Sequence, residues 1–329
     1  MGRAGERLVV SNEFSGDLSI IDAARGAVIA TVPVGKRPRG LALSSADGRA
    51  YVALTGSPVT PPGTDPATLP PPDRTADGIG RVGIDLPALE SVVRGVPDPE
   101  QLAVGRSGRI YAGSELEQSL LVLDPAGRPL RRVRLGDEPE GVAVSGDERW
   151  ACVTLEDEAT LVVIRLPEGR ELRRIPVGAR PRSVVFSPRG ERVYVSNEVG
   201  ASVSVIDAQA WRKLRDVAVP GDGARPMGLA VAPDGGTLYV TTGRGGRVVA
   251  FDTVDFGVRA SIEVGGRPWG VAVSGDGSRI YTANGPANDV AVIDARSLTL
   301  ESRIAVGERP WGVLVVPGRA DQDPARLAK

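Results

Sequence analysis

The chain of 329 residues contains no histidine. That absence excludes histidine-ligated metals, histidine general bases, Ser-His and Cys-His nucleophile pairs, and axial haem histidines. Any catalyst built here must use carboxylates, arginine, lysine or a hard cation held by oxygen. One cysteine, Cys152, excludes an internal disulfide and carries no information about compartment. Neither sign of charge dominates: 40 Lys plus Arg stand against 41 Asp plus Glu, so there is no general pull toward nucleic acid or anionic lipid. Apolar runs are too short to span a bilayer, so no membrane insertion is expected. No basic, apolar and small-residue leader pattern precedes Leu8. The chain is therefore expected to be cytosolic or a mature form whose signal has been removed.

What the chain does have is a repeat, x-Arg-Pro-x-Gly followed by an apolar strand. Its copies are KRPRGLAL, PDPEQLAV, DEPEGVAV, ARPRSVVF, ARPMGLAV, GRPWGVAV and ERPWGVLV, with prolines at Pro38, Pro99, Pro139, Pro181, Pro226, Pro268 and Pro310. A period of roughly 40–50 residues made of short β-like runs is the pattern of a propeller, one blade per repeat. Within a unit the order is the Pro-Gly entry, an apolar strand, a turn around Asp-Gly, a Tyr-Val strand, a polar turn, a Val-Ile-Asp strand and an outer strand ending Val-Gly. β-Branched runs punctuated by Gly, Pro, Asp and Asn argue strands and tight turns, and no stretch carries a helical period.

The expected fold is all-β: a seven-bladed β-propeller of four-stranded blades forming one domain over 1–329. The chain opens on a second strand, LVVSNE, and closes just after a first strand, GVLVV. The two ends are therefore expected to pair and complete the last blade, which removes an open sheet edge. Residues 56–78 form an insert with seven prolines among them, too proline-rich for a helix and expected to rise beside the channel mouth. Its adjacent charges, Asp73 and Arg74, lie near the return to the sheet, and a tail over 317–329 follows the last strand.

Periodic residues are assigned to scaffold. The five tyrosines, Tyr51, Tyr111, Tyr194, Tyr239 and Tyr281, share one repeat position with Val9 and Cys152. A place filled in every unit is what a core requires, so Cys152 is expected to be buried and inert. Asp22, Asp85, Asp124, Asp207, Asp252 and Asp294 end third strands, where Asp bonds the backbone of the next turn. They sit a blade apart, so no metal site is expected from them.

The Pro-Gly corners carry the candidate site. Inner strands of a propeller begin at one mouth of its channel, so the side chains flanking each proline should ring that mouth. Arg37, Arg39, Arg180, Arg182, Arg225, Arg267 and Arg309 supply cations, with Trp269 and Trp311 among them, while two units carry acids instead. Four residues beyond the tyrosine position stand Glu13, Glu115, Glu156 and Glu198, on the same face and placed to meet arginines. One reading is an interblade Arg–Glu lattice; the other is a binding mouth. Arg225, Arg267 and Arg309 lack equivalent glutamates where Gly243 and Gly285 replace them, which leaves cations beside two indoles. Arginine forks with flat aromatics suit a carboxylate, a phosphate or a single-stranded base.

The elements VYVSNE, LYVTT and IYTAN, each followed by a strand ending in Val-Ile-Asp or Phe-Asp and a Val-Gly-x-Arg-Pro turn, resemble the YVTN-repeat β-propellers. These are similar to surface-layer and YncE-like proteins within the quinoprotein amine dehydrogenase-like superfamily. VSNE, VGKRPRG and VGARPRS also resemble the subgroup associated with PQQ-dependent alcohol catabolism. The resemblance spans Leu8 to Val316 and implies a periplasmic or extracellular home. It implies no activity: nitrite reductase, nitrous oxide reductase and streptogramin lyase propellers need histidines, and no vicinal cysteine pair of the quinoprotein dehydrogenases is present.

The expectation is a non-catalytic binding propeller, monomeric and without cofactor, whose mouth takes an anionic small molecule, peptide or protein partner. A lactonase-type hydrolase using one of the mouth glutamates is the alternative. Single-stranded nucleic acid is a further alternative that the near-neutral charge and the acidic sector weigh against.

Overall fold

The computed structural model describes residues 5–59 and 65–318. Residues 60–64 of the insert and the tail beyond 318 lie outside the described residues. Seven four-stranded antiparallel sheets are arranged around one channel. We number the blades by their order along the chain, blade 1 over 38–93, blade 2 over 99–134, blade 3 over 139–176, blade 4 over 181–218, blade 5 over 229–263 and blade 6 over 268–305. Blade 7 takes its inner strand from Pro310–Val316 and its other three from 7–33. Leu8 pairs with Val315 and Val9 with Leu314, so the two ends of the chain close the ring as expected. The only helical turns among the described residues are three single 3-10 turns.

Burial follows position in the blade. Second and third strands have a neighbouring blade on each face, so Tyr51, Val52 and Ala53 are all buried, and Leu18, Ile20 and Ile21 are fully so. The outer strands touch neighbours on one side only, and Arg170–Pro176 exposes all but one of its residues. Apolar clusters therefore sit between blades: Val9, Leu18 and Ile20 of blade 7 pack on Val52, Leu54 and Val82 of blade 1. All five repeat tyrosines are buried, as are Val9 and Cys152. The third-strand aspartates also behave as turn residues: Asp22, Asp124, Asp207, Asp252 and Asp294 each accept backbone amides of the following turn.

The glycine of the repeat has a steric reason. A Cβ on Gly40 would lie 2.7 Å from the Glu100 carbonyl oxygen, and one on Gly270 would lie 2.9 Å from that of Trp311. Inner strands of adjacent blades thus approach closest at this place. Hydroxyls bridge the same seam. Ser11 donates to the Arg39 carbonyl, Thr154 to that of Arg182, Ser196 to that of Met227 and Thr241 to that of Trp269, at 2.5–3.1 Å. Each bond runs from one blade's second strand to the corner or inner strand of the next blade, which fixes Arg39, Arg182, Met227 and Trp269, the residues after four of the prolines, at the channel wall.

Candidate functional site

The residue before the proline is left-handed at six of the seven corners: Arg37 (φ 40°), Asp98 (48°), Glu138 (50°), Arg180 (56°), Arg267 (52°) and Arg309 (55°). A residue preceding proline ordinarily stays extended, so this conformation needs support from outside the corner. The support is the second-strand turn. The amides of Glu13, Glu115, Glu156 and Glu198 donate to the carbonyls of Arg309, Asp98, Glu138 and Arg180 respectively. Blade 5 differs. Its inner strand is only Leu229–Val231, and Arg225 donates its amide to Thr242 without adopting the left-handed form.

The mouth divides into two sectors. In one, arginines and acids neutralise each other across blade boundaries. Arg37 of blade 1 holds Glu13 of blade 7 at 2.8 Å. Arg180 and Arg182 of blade 4 both pair with Glu156 of blade 3. Arg182 also reaches Glu140 and Glu198 at 3.3 Å each, and Arg180 lies 3.6 Å from Glu198. Burial opposes the charge on Arg182, but Glu140, Glu156 and Glu198 outweigh it and push its pKa up. Arg39 pairs with Glu100. The insert is tied to this rim: Arg37 donates to the Ser57 and Pro58 carbonyls, and Arg74 reaches Asp98 at 3.0 Å. Asp73 binds Lys36 at 2.7 Å, so the adjacent pair Asp73 and Arg74 face different partners rather than each other.

Glu115 departs from the expected pattern. It forms no ion pair with an arginine among the described residues. Its carboxylate instead lies in a cluster with Glu100 and Glu140, their oxygens within 4.8 Å of one another. Burial, then the charge of Glu140, raises its pKa to about 8 against the pull of Arg39. Burial also raises Glu140. Arg39 is paired with Glu100 and Arg182 is shared among Glu140, Glu156 and Glu198, which leaves no arginine for Glu115 among the described residues, and a proton on Glu115 removes its uncompensated charge. Sequence reading grouped Glu115 with Glu13, Glu156 and Glu198 because the repeat position is shared. What separates it is that the adjoining corner in blade 2 is Asp98–Glu100 and the next is Glu138–Glu140, both acidic.

The other sector is cationic. Neither Arg225 nor Arg267 forms an ion pair among the described residues. Arg244, on the short turn Gly243–Gly245, is a third such cation that the repeat pattern did not mark. Burial, followed by repulsion from Arg244 and Arg309, lowers the Arg267 pKa. Arg309 is not without a partner, contrary to expectation: it reaches Glu13 at 3.9 Å and lies 4.6 Å over the Phe14 ring. The Arg267 guanidinium stands 5.1 Å over Trp269, which is half-buried. Trp311 packs against Trp269 at 5.8 Å, but Arg39 covers its ring at 5.0 Å and its indole N–H is buried without an acceptor. Trp269 is therefore the more open indole.

Between the sectors the channel narrows to about 50 Å³ among Gln101, Glu140, Arg182, Met227, Trp269 and Trp311. Below it a space of about 200 Å³ is walled by apolar inner-strand residues such as Leu102, Val184 and Val271.

The fold and mouth geometry can be set beside known proteins. This is a seven-bladed β-propeller. No protein-family model matches the chain, and no curated protein matches it. Solved structures do. A functionally unknown protein from Desulfotomaculum acetoxidans superposes with a TM-score of 0.77 at 14% identity, covering 95% of this chain and 99% of that one. The periplasmic gluconolactonase PpgL of Pseudomonas aeruginosa gives 0.73 at 19%, with the same coverage. Hydrazine synthase of Kuenenia stuttgartiensis gives 0.71 at 18%, over 84% of this chain and 88% of that one. At such identities the likeness is one of fold. No helix among the described residues is long and apolar enough to cross a membrane.

Proposed function

We propose that the chain is a ligand-binding propeller whose mouth takes a small anion, held by Arg225, Arg244 and Arg267 with Trp269 as the flat wall. One observation carries this reading: Arg225, Arg244 and Arg267 form no ion pair among the described residues, and burial, followed by repulsion from Arg244 and Arg309, lowers the Arg267 pKa beside Trp269. A bound carboxylate or phosphate relieves that repulsion and completes the guanidinium hydrogen bonds. On the opposite arc Glu13, Glu100, Glu140, Glu156 and Glu198 are already committed to Arg37, Arg39, Arg180 and Arg182, so they do not draw on the cations of this arc. The YVTN-type elements support kinship with exported binding propellers, and an extracytoplasmic home is proposed on that resemblance alone. The test is calorimetric titration with gluconate and citrate. Saturable binding that weakens about tenfold or more in Arg267→Ala and falls with salt supports the site. Absence of heat up to millimolar ligand, or an unchanged affinity in the variant, removes it.

A second reading is a lactonase-type hydrolase, and Glu115 favours it. A carboxyl raised to about 8 is protonated at neutral pH: as water adds to a lactone carbonyl and the ring C–O bond breaks, it can give its proton to the departing alkoxide oxygen and regain one from the added water. The hydroxy-acid product is an anion suited to the cationic arc. The fold likeness to a gluconolactonase agrees with this reading without carrying it. Turnover of gluconolactone that disappears in Glu115→Gln supports it; hydrolysis no faster than buffer rejects it.

A further inference from the structure

We propose that the face opposite the mouth holds a second binding site, between blades 3 and 4, for a small aromatic anion. The turns joining first to second and third to fourth strands lie on that face, because each strand reverses direction from the Arg-Pro corners. There a groove of about 570 Å³ is floored by Trp150, Phe186 and Trp211 and rimmed by Arg106, Arg149 and Arg189. That volume falls in the usual range of small-molecule sites, about 300–1,000 Å³.

The near-symmetry of the ring shows that Trp150, Phe186 and Arg189 are exceptional. At the place of Trp150 the other blades carry Arg7, Arg49, Arg109, Arg192, Thr237 and Arg279. At the place of Phe186 they carry Leu43 or a valine. Trp211 is different: it stands in a left-handed turn position, φ 51°, that Phe256 and Leu298 also fill at 65° and 56° in blades 5 and 6, and Gly26 and Gly169 elsewhere, so it is a scaffold residue that backs the groove. Arg189 replaces an aspartate, the residue found as Asp147, Asp234 and Asp276 in blades 3, 5 and 6. Scaffold needs are met by the repeat residues in those blades. Two aromatics, Trp150 and Phe186, and a charge reversal at Arg189 depart from the repeat and meet in one groove, and they point to a ligand.

The chemistry of the groove specifies that ligand. Trp211 lies 5.2 Å from Trp150 and 6.5 Å from Phe186, both edge-to-face, which holds its strained backbone in place. Trp150 and Phe186 remain half-exposed toward the groove, leaving aromatic surface for a flat ring. Arg106, Arg149 and Arg189 are exposed and form no ion pair among the described residues. Arg149 is loosely placed over Trp150, 5.9 Å from its ring. The one acid in the groove wall, Asp147, already accepts the Ser145 hydroxyl at 2.6 Å and the Arg149 amide at 3.1 Å. Three free guanidiniums beside an aromatic floor suit a ring bearing a phosphate or carboxylate.

The test uses the full chain with Trp269→Phe and Trp311→Phe, which leaves Trp150 and Trp211 as the only tryptophans, and reads quenching of their fluorescence. The probes are AMP and 2-naphthoate, with adenosine and inorganic phosphate as single-feature controls. Saturable quenching by AMP or naphthoate below about 1 mM, at least tenfold tighter than by either control, supports the site. Tighter AMP identifies a phosphate ligand and tighter naphthoate a carboxylate. Arg189→Asp restores the residue that blades 3, 5 and 6 carry, so the variant is expected to keep the parent's melting temperature while losing affinity tenfold or more. Arg267→Ala, at the mouth, is expected to leave it unchanged. No quenching by either probe, equal binding of the controls, or full affinity in Arg189→Asp would overturn the proposal.

Discussion

Replacing Glu115 with glutamine isolates a mouth carboxyl that has no arginine of its own among the described residues. In the folded chain its pKa is raised to about 8 from an ordinary value of 4.5. The folded state therefore binds the proton more tightly than the unfolded state, and stability is fully present below the unfolded value. It is lost as pH rises through the folded one, so the window runs from about pH 4.5 to about pH 8. At roughly 1.4 kcal/mol per pH unit, the whole shift amounts to about 5 kcal/mol as an upper bound. The cluster shares its strain with Glu140, so removing one carboxyl recovers about half, on the order of 2 kcal/mol at pH 9. Glutamine has the shape of the protonated acid and keeps its donor. Urea unfolding of both proteins at pH 5, 7 and 9 should give near-equal stabilities at pH 5. The variant should gain steadily above that and be the more stable at pH 9. A difference that stays flat across that range, or a variant less stable at pH 9, would refute the view that Glu115 is held protonated by its neighbours.

The scaffold makes further demands that can be measured. Gly40→Ala places a methyl 2.7 Å from the Glu100 carbonyl, against backbone that cannot yield, and should cost about 1–3 kcal/mol by thermal or urea unfolding. Thr241→Val removes the hydroxyl that donates to the Trp269 carbonyl at 2.7 Å and accepts the Gly228 amide at 2.8 Å. It should cost about 1–3 kcal/mol, while Thr241→Ser should recover most of it. Cys152 is fully buried and burial pushes its thiol up, so a disulfide-exchange reagent should label it only after unfolding.

Some of the candidate site was legible in the repeat and some was not. The corner prolines announced which residues face the channel, because a repeated unit puts equivalent residues at equivalent places. The Arg180–Glu156 and Arg37–Glu13 pairs follow from that register. Arg244 did not, since it sits one residue into a turn that blades 5 and 6 rebuild around glycine. The protonated state of Glu115 was also hidden. It depends on Glu140, which is distant in the chain and adjacent only after two blades are packed side by side. The groove of Trp150, Phe186 and Trp211 is hidden for a similar reason: Trp150 and Phe186 depart from the repeat at separate positions in different blades, and only the turn geometry brings them together.

The amino-acid sequence by itself determined the number of blades, the phase of the strands and the closure of the ring. Those depend on local pattern and on the match between a terminal first strand and an initial second strand. It also determined which chemistries are absent, through the missing histidine. Tertiary structure decided how the charges sort themselves. Whether an arginine meets a glutamate, another arginine or an indole depends on contacts across blade boundaries, between residues some 20 to 300 positions apart. Burial there changes a charge from a surface feature into a bound proton or an unfilled site.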